Sequence, residues 1–173
     1  MNPLIPVTSV MRVVLPLKVF LTLENCPSGW EFLDLYLIRD AETAFYVGKS
    51  EIAFNRVWQH IQDGFKGRSG IGRFILCNWP DSMHFTIELY HARHKLFENV
   101  GYDLAQAERK LIIQYQPCFN VVHNPSPTPL SDRYKPYNVR LICSHRLSRL
   151  ISESRATLQA ERKIETLQEF EVE

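Results

Sequence analysis

Apolar residues follow two rhythms along this chain. Residues 10–23, VMRVVLPLKVFLTL, read as one or two strands, with Pro16 marking an edge or a bulge. Residues 33–39 and 44–48 read as a second pair of strands, joined by Asp40-Ala41-Glu42-Thr43 into a hairpin. The rhythm then becomes helical. Ile52, Val57, Trp58 and Ile61 line one side of a helix that Ser50 caps, that Glu51 favours at its positive end, and that Gly64 stops. Residues 64–72 hold four glycines among Lys66, Arg68 and Ser69, a basic loop that opens a short helix over 73–78.

Residues 83–90 predict another strand, and 91–100 carry no clear period. Asp103 caps a helix over 104–115 that Pro117 ends. Four of the ten prolines lie in 123–136, HNPSPTPLSDRYKP, an extended arm on the surface. A strand is expected at 139–143. Residues 148–170 form a helix rich in Glu, Arg, Gln and Ala, with a thin stripe of Leu147, Ile151 and Leu158. The expected class is α+β: a small antiparallel sheet of about three core strands, extended by N-terminal strands and flanked by helices. By this reading 1–30 is a strand-forming extension and 31–122 the core, with an insertion at 64–100. Residues 123–138 are the arm, and 139–173 a strand and helix extension.

Composition changes little. The 173 residues are 45% hydrophobic and 23% charged, ordinary for a soluble globular chain. No run approaches the ~20 apolar residues of a membrane span. Prolines interrupt the apolar amino end, which has no basic start or small-residue cleavage site, so it does not read as a signal peptide. Cys26, Cys77, Cys118 and Cys143 lie far apart without a Cys-x-x-Cys pair, consistent with reduced thiols and a cytoplasmic location. The net charge of +1 hides an asymmetry. Residues 49–73 carry +3, residues 133–149 hold five basic and no acidic side chains, and 150–173 carry −3. Basic blocks are compatible with a polyanion partner, although on charge alone a solvated surface is the simpler reading.

Candidate chemistry centres on the hairpin. Tyr36 and Tyr46 share a face in any register with an even pairing sum. Such pairs are also ordinary packing devices. Arg56 and His60, four apart, share one side of the helix that follows, and Lys49 sits in the connection between strand and helix. Singly, each reads as a surface polar group. Glu108 shifts the balance. It falls four residues after Leu104 and three before Leu111, inside a stripe that continues through Ile112 and Tyr115. A carboxylate there costs several kcal/mol unless it is paired with Arg56 or Lys49, or holds a cation. His84, His91 and His94 lack a further ligand at a usual zinc spacing.

In their order along the chain these residues resemble the GIY-YIG nuclease domain, found in excision-repair incision domains, homing endonucleases and restriction enzymes. The first motif appears as Leu35-Tyr36-Leu37 and the second as Tyr46-Val47-Gly48, followed by Lys49, Arg56-x-x-x-His60, Glu108 and Asn120. Leu35 departs from the glycine of the family's name. The resemblance implies a GIY-YIG-like fold over about 33–120 and a site in which Tyr36 helps activate water and Tyr46 supports it. It also implies that Arg56 holds the scissile phosphate, Lys49 and His60 assist, Asn120 braces the site, and Glu108 is the single metal ligand.

The resulting expectation is a DNA endonuclease dependent on Mg²⁺ or Mn²⁺. Lys66, Arg68, Arg73, Arg133 and Lys135 would track phosphates. No membrane is involved, and a homodimer could form through the C-terminal helix. The rival expectation is a nucleic-acid-binding or interaction protein that keeps the fold without cutting. A nuclease directed at RNA would differ only in substrate.

Overall fold

Leu35–Arg39 is buried at four of its five positions, which explains why LYLIR shows no polar alternation. A strand covered on both faces reads as a continuous apolar run. The computed structural model describes residues 10–136 and 146–171, with side chains as far as residue 166. The fold is mixed α+β, a four-stranded antiparallel sheet flanked by helices. Its strands are β1 (Arg12–Pro16), β2 (Leu35–Arg39), β3 (Ala44–Lys49) and β4 (Thr86–Tyr90), in the order β1-β4-β2-β3. The N-terminal strand therefore does extend the sheet, by pairing with β4. The expected strand at 139–143 lies outside the described residues.

The helices are α1 (Leu17–Phe20), α2 (Ala53–Phe65), α3 (Gly70–Cys77), α4 (Leu104–Tyr115) and α5 (Leu147–Glu171). One face of the sheet carries Tyr36, Ile38, Ile87 and Leu89 into the larger core, with Phe20 of α1, Phe54, Val57 and Ile61 of α2, and Phe74 of α3. The other face carries Leu35, Leu37, Val47 and Tyr90 against Ala107, Leu111 and Ile112 of α4. These two faces decide which polar side chains can meet.

Several boundaries differ from the sequence reading for local reasons. Residues 17–20 form a single helical turn, since Pro16 ends β1 where it pairs with Thr86. The strand expected from residue 83 begins at Thr86, after a short 3-10 turn at Asp81–His84. Ser50 does not cap α2. Ile52 holds that position, and backbone carbonyls take over the capping: Ser50 N–H donates to Asp34 O (2.9 Å) and Ala53 N–H to Leu33 O (2.8 Å). Gly64 does not stop the helix either. It is a contact point, because a Cβ there would lie 2.6 Å from the Gly72 backbone carbon, and one on Gly72 only 1.8 Å from His60 O. The two glycines let α2 and α3 touch backbone to backbone.

Asp103 caps α4 as expected, accepting from Gln106 N–H at 2.9 Å. Along α5, Leu150 and Ser154 are buried, Glu153 accepts from Trp79 Nε1 (2.6 Å), and Glu161 pairs with Lys18 of α1. One side of the C-terminal helix is thus occupied within its own chain. Among the described residues, no helix is long and apolar enough to cross a membrane.

Candidate functional site

Tyr36 of β2 stands directly across from Gly48 of β3. A Cβ on Gly48 would lie 2.3 Å from the Tyr36 hydroxyl, so the phenol ring occupies the space a side chain there would need. Tyr46, two residues earlier on β3, projects from the same face, with ring centroids 6.1 Å apart. Phe45 is the extra residue of a β-bulge, since Ile38 pairs with Tyr46 and Arg39 with Ala44. The even register over Tyr36 and Tyr46 survives that bulge, which lies on the turn side of both.

Helix α2 supplies the next layer. Tyr36 Oη lies 2.8 Å from His60 Nε2, and the Tyr46 ring meets the imidazole edge-on at 5.6 Å. The other imidazole nitrogen, Nδ1, lies 2.7 Å from Ser69 Oγ. All three members of this chain are enclosed: Tyr36, His60 and Ser69 are 2%, 7% and 7% exposed. Burial pushes the His60 pKa down to about 4, aided by the positive charge of Arg56. The imidazole is therefore neutral at physiological pH. Burial raises the Tyr36 pKa above the usual phenol value. Tyr46 and Glu108 push the same way, and the charge of Arg56 opposes them. Arg56, half-buried on α2, donates to Gln59 at 2.8 Å.

Glu108 sits at the border of the buried face of α4, next to Ala107, with its side chain 19% exposed. It is ion-paired with Lys49 at 2.5 Å. This is one of the two ways a carboxylate in that stripe can be accommodated. Lys49 stands across from Leu35 at the end of β3, so the pair rests at the same end of the hairpin as Tyr36 and Gly48 but on the α4 face of the sheet, opposite to theirs. Among the described residues, no group of three or more His, Cys, Asp and Glu is placed to hold a metal ion. A hard oxygen donor turned toward Lys49 fits an ion that takes one protein carboxylate and keeps its waters. It does not fit one that needs a cage of protein ligands.

Asn120 acts on the backbone. Its Oδ1 accepts from Val47 N–H (2.9 Å) and its Nδ2 donates to Val47 O (2.8 Å). Cys118 and Phe119 N–H donate to Ala44 and Phe45 carbonyls. The segment after α4 thus lies along the outer edge of β3 and fixes the strand that carries Tyr46, Gly48 and Lys49. Bracing is the geometry observed, and the side chain is 9% exposed.

The basic residues disperse. Lys66 and Arg68 are exposed between α2 and α3. Arg73 is half-buried in α3, with Nη1 3.0 Å from where a Cβ on Gly67 would be. Arg133 donates to Asp40 at 2.7 Å, and its guanidinium lies over the Tyr134 ring. Asp40 stands at the hairpin turn, four residues beyond Tyr36, hence about 13 Å along the strand at ~3.3 Å per residue. Its carboxyl is held below the ordinary range. Burial pushes it up, but the Tyr134 hydroxyl, the Thr43 and Glu42 amides and Arg133 outweigh that. Lys135 is strapped through its backbone, its N–H and carbonyl both bonded to the Asn78 side chain at 2.8 Å. Its own side chain is exposed. The hairpin thus has two polar ends, with Tyr36, Gly48 and Lys49 at one and the arm docked at the other.

The sequence reading did not place Ser69 in the site. The signal available was its position before a short apolar run with Gly72 three residues on, an N-cap pattern. Ser69 Oγ does accept from Gly72 N–H at 3.1 Å. A cap that also meets His60 is visible only once α2 and α3 are folded together. No protein-family model, no curated protein and no solved structure matches this chain.

Proposed function

We propose that this chain is a metal-dependent endonuclease that hydrolyses phosphodiester bonds in DNA. One observation carries the reading. Two tyrosines, a neutral histidine, an arginine and a lysine-paired carboxylate, scattered over more than seventy residues of sequence, gather at one end of the hairpin. The order of those residues, which resembles GIY-YIG nucleases, supports the same reading.

Hydrolysis of a phosphodiester needs an oriented water, positive charge on the phosphoryl oxygens and help for the leaving oxygen. Arg56 offers a planar fork of donors for the phosphate. Tyr36, hydrogen-bonded to His60 and wedged over Gly48, has little freedom to turn, so it can hold a water in one orientation. Tyr46 closes the aromatic side of that space. Glu108 would hold the divalent ion, which supplies Lewis-acid charge to the phosphoryl group and the leaving oxygen. Lys49 answers the Glu108 charge in the protein as it stands. Its side chain is 43% exposed, so it is free to turn to a phosphate oxygen. Lys66 and Arg68 lie on the loop that links α2 to Ser69, and they would meet the flanking backbone.

The experiment is digestion of supercoiled plasmid in Mg²⁺ or Mn²⁺ by pure protein, by Arg56→Ala and by Glu108→Ala. The reading expects nicked or linear product from the parent alone. Cleavage that survives both substitutions sinks the site assignment. Tight DNA binding with no product under any divalent ion would favour a binding protein.

A further inference from the structure

Lys49 and Glu108 meet across two fixed stretches of backbone. Lys49 pairs with Leu35 of β2, and the residue after it, Ser50, donates its N–H to Asp34 O at 2.9 Å. Asn120 clamps Val47, two residues before Lys49, through both backbone groups. On the other side, Ala107, next to Glu108, is buried with Leu111 and Ile112 against Leu35, Leu37 and Val47. The pair therefore opens and closes by side-chain rotation, without moving β3 or α4. The lysine has the freedom for that. Its side chain is 43% exposed, against 19% for Glu108, and it is a flexible four-carbon stem.

Charge decides what else Glu108 can hold. The Lys49 ammonium lies 2.5 Å from Glu108 Oε2. Mg²⁺ binds oxygen at about 2.1 Å, so on either oxygen of this carboxylate it would stand within roughly 5 Å of the ammonium. One negative charge would then face three positive ones, and the ion's waters would need the room the ammonium takes. Glu108 can hold the lysine or the ion, not both well. The charges of Glu108 and Arg56 both act on the Tyr36 hydroxyl. A phosphate held at Arg56 is therefore at the same end of the sheet as the lysine.

We propose that Lys49 competes with the divalent ion for Glu108, so that the ion is held weakly until a phosphate of the nucleic acid draws the ammonium away. The proposal rests on the nuclease reading, from which it takes both ligands, and adds that their binding is coupled. A phosphate oxygen gives Lys49 a second anionic partner in place of the carboxylate, and Glu108 is freed. The coupling is reciprocal: the factor by which DNA raises the affinity for the ion is the factor by which the ion raises the affinity for DNA. The complete site therefore assembles on the substrate, and the protein alone loads poorly with metal. Lys49→Met should then show an unusual split, binding the ion more tightly while cutting more slowly.

Mn²⁺ binding to the whole protein, read from the electron paramagnetic resonance signal of the free ion, tests this without any cleavage. In the absence of DNA, Lys49→Met should bind Mn²⁺ at least roughly tenfold more tightly than the parent. Lys49→Arg, which keeps the charge, should stay close to the parent, and Glu108→Gln should abolish the site. A duplex with a phosphorothioate backbone, which resists cutting, should tighten Mn²⁺ binding more in the parent than in Lys49→Met. Binding of Mn²⁺ to the DNA itself is subtracted with the Glu108→Gln protein. A merely structural ion pair would leave Lys49→Met with the parent's affinity or a weaker one, and either result overturns the proposal. An equal effect of the duplex on both proteins overturns it too. If Mn²⁺ binds as stated and the parent cuts no DNA, the nuclease reading fails and the competition at Glu108 stands. If neither the parent nor Lys49→Met binds Mn²⁺ through Glu108, both fall.

Discussion

Tyr36 and Gly48 face each other across β2 and β3, and the phenol of one fills the room a side chain on the other would take. This contact ties the two motifs together physically, since the glycine is what lets the ring reach His60. Gly48→Ala puts a methyl 2.3 Å from the hydroxyl, so the ring must leave its seat. The expected loss is about 1–3 kcal/mol of stability from overpacking. A loss of cleavage well beyond that accompanying Gly48→Ser at equal folded fraction is not expected, because both displace the same ring. Urea denaturation and plasmid cleavage on both variants check this, and an active, unperturbed Gly48→Ala would contradict it.

His60 makes stability depend on pH in one direction. Its folded pKa of about 4 lies below the unfolded value near ~6.5. Between those values the unfolded chain binds the extra proton. Stability is therefore complete above about pH 6.5 and declines as pH falls toward 4, by up to roughly 3 kcal/mol from this group. His60→Gln should flatten that part of the profile. Denaturation midpoints measured from pH 7 to 4 on both proteins test it, and identical slopes would contradict the burial argument.

Lys49 and Glu108 separate stability from function. The Lys49 side chain is 43% exposed, so solvent screens the pair and breaking it should change stability by only about 1 kcal/mol. Lys49→Met and Glu108→Gln should therefore melt close to the parent while cleavage falls by at least about a hundredfold. Thermal scans run beside cleavage rates decide it. If Glu108→Gln is instead badly destabilised, the carboxylate serves the fold.

Asn120 belongs to the scaffold. Both ends of its amide bond the Val47 backbone inside the protein, so Asn120→Ala should cost about 1–3 kcal/mol. Asn120→Asp should cost more, because an acceptor then faces the Val47 carbonyl. Hydrogen exchange at the Val47 amide should accelerate in both. Unchanged protection would show that the strand does not need this brace.

The sequence made the hairpin, the α2 face and the capped α4 legible, since each depends on neighbours close in the chain. The even pairing that puts Tyr36 and Tyr46 on one face was readable because strand geometry has a period of two. Glu108 was conspicuous as a carboxylate in an apolar stripe, yet its partner could not be chosen, because Lys49 at the end of β3 and Arg56 in α2 were both cations that the chain could bring to it. What escaped depends on tertiary packing. Gly64 looks like a helix stop and is a helix–helix contact. Ser50 looks like a cap and is replaced by carbonyls from residues 33 and 34, which no local pattern announces. Arg133 reads as a free basic group until the arm folds back onto Asp40.

The most direct test is a Mg²⁺-dependent cleavage rate on one DNA substrate for the parent and for Glu108→Gln, with folding of both verified. Products should vanish with a chelator, return on adding Mg²⁺, and form at least about a hundred times more slowly in the variant. Equal rates in the two proteins, or cutting indifferent to the chelator, would contradict it.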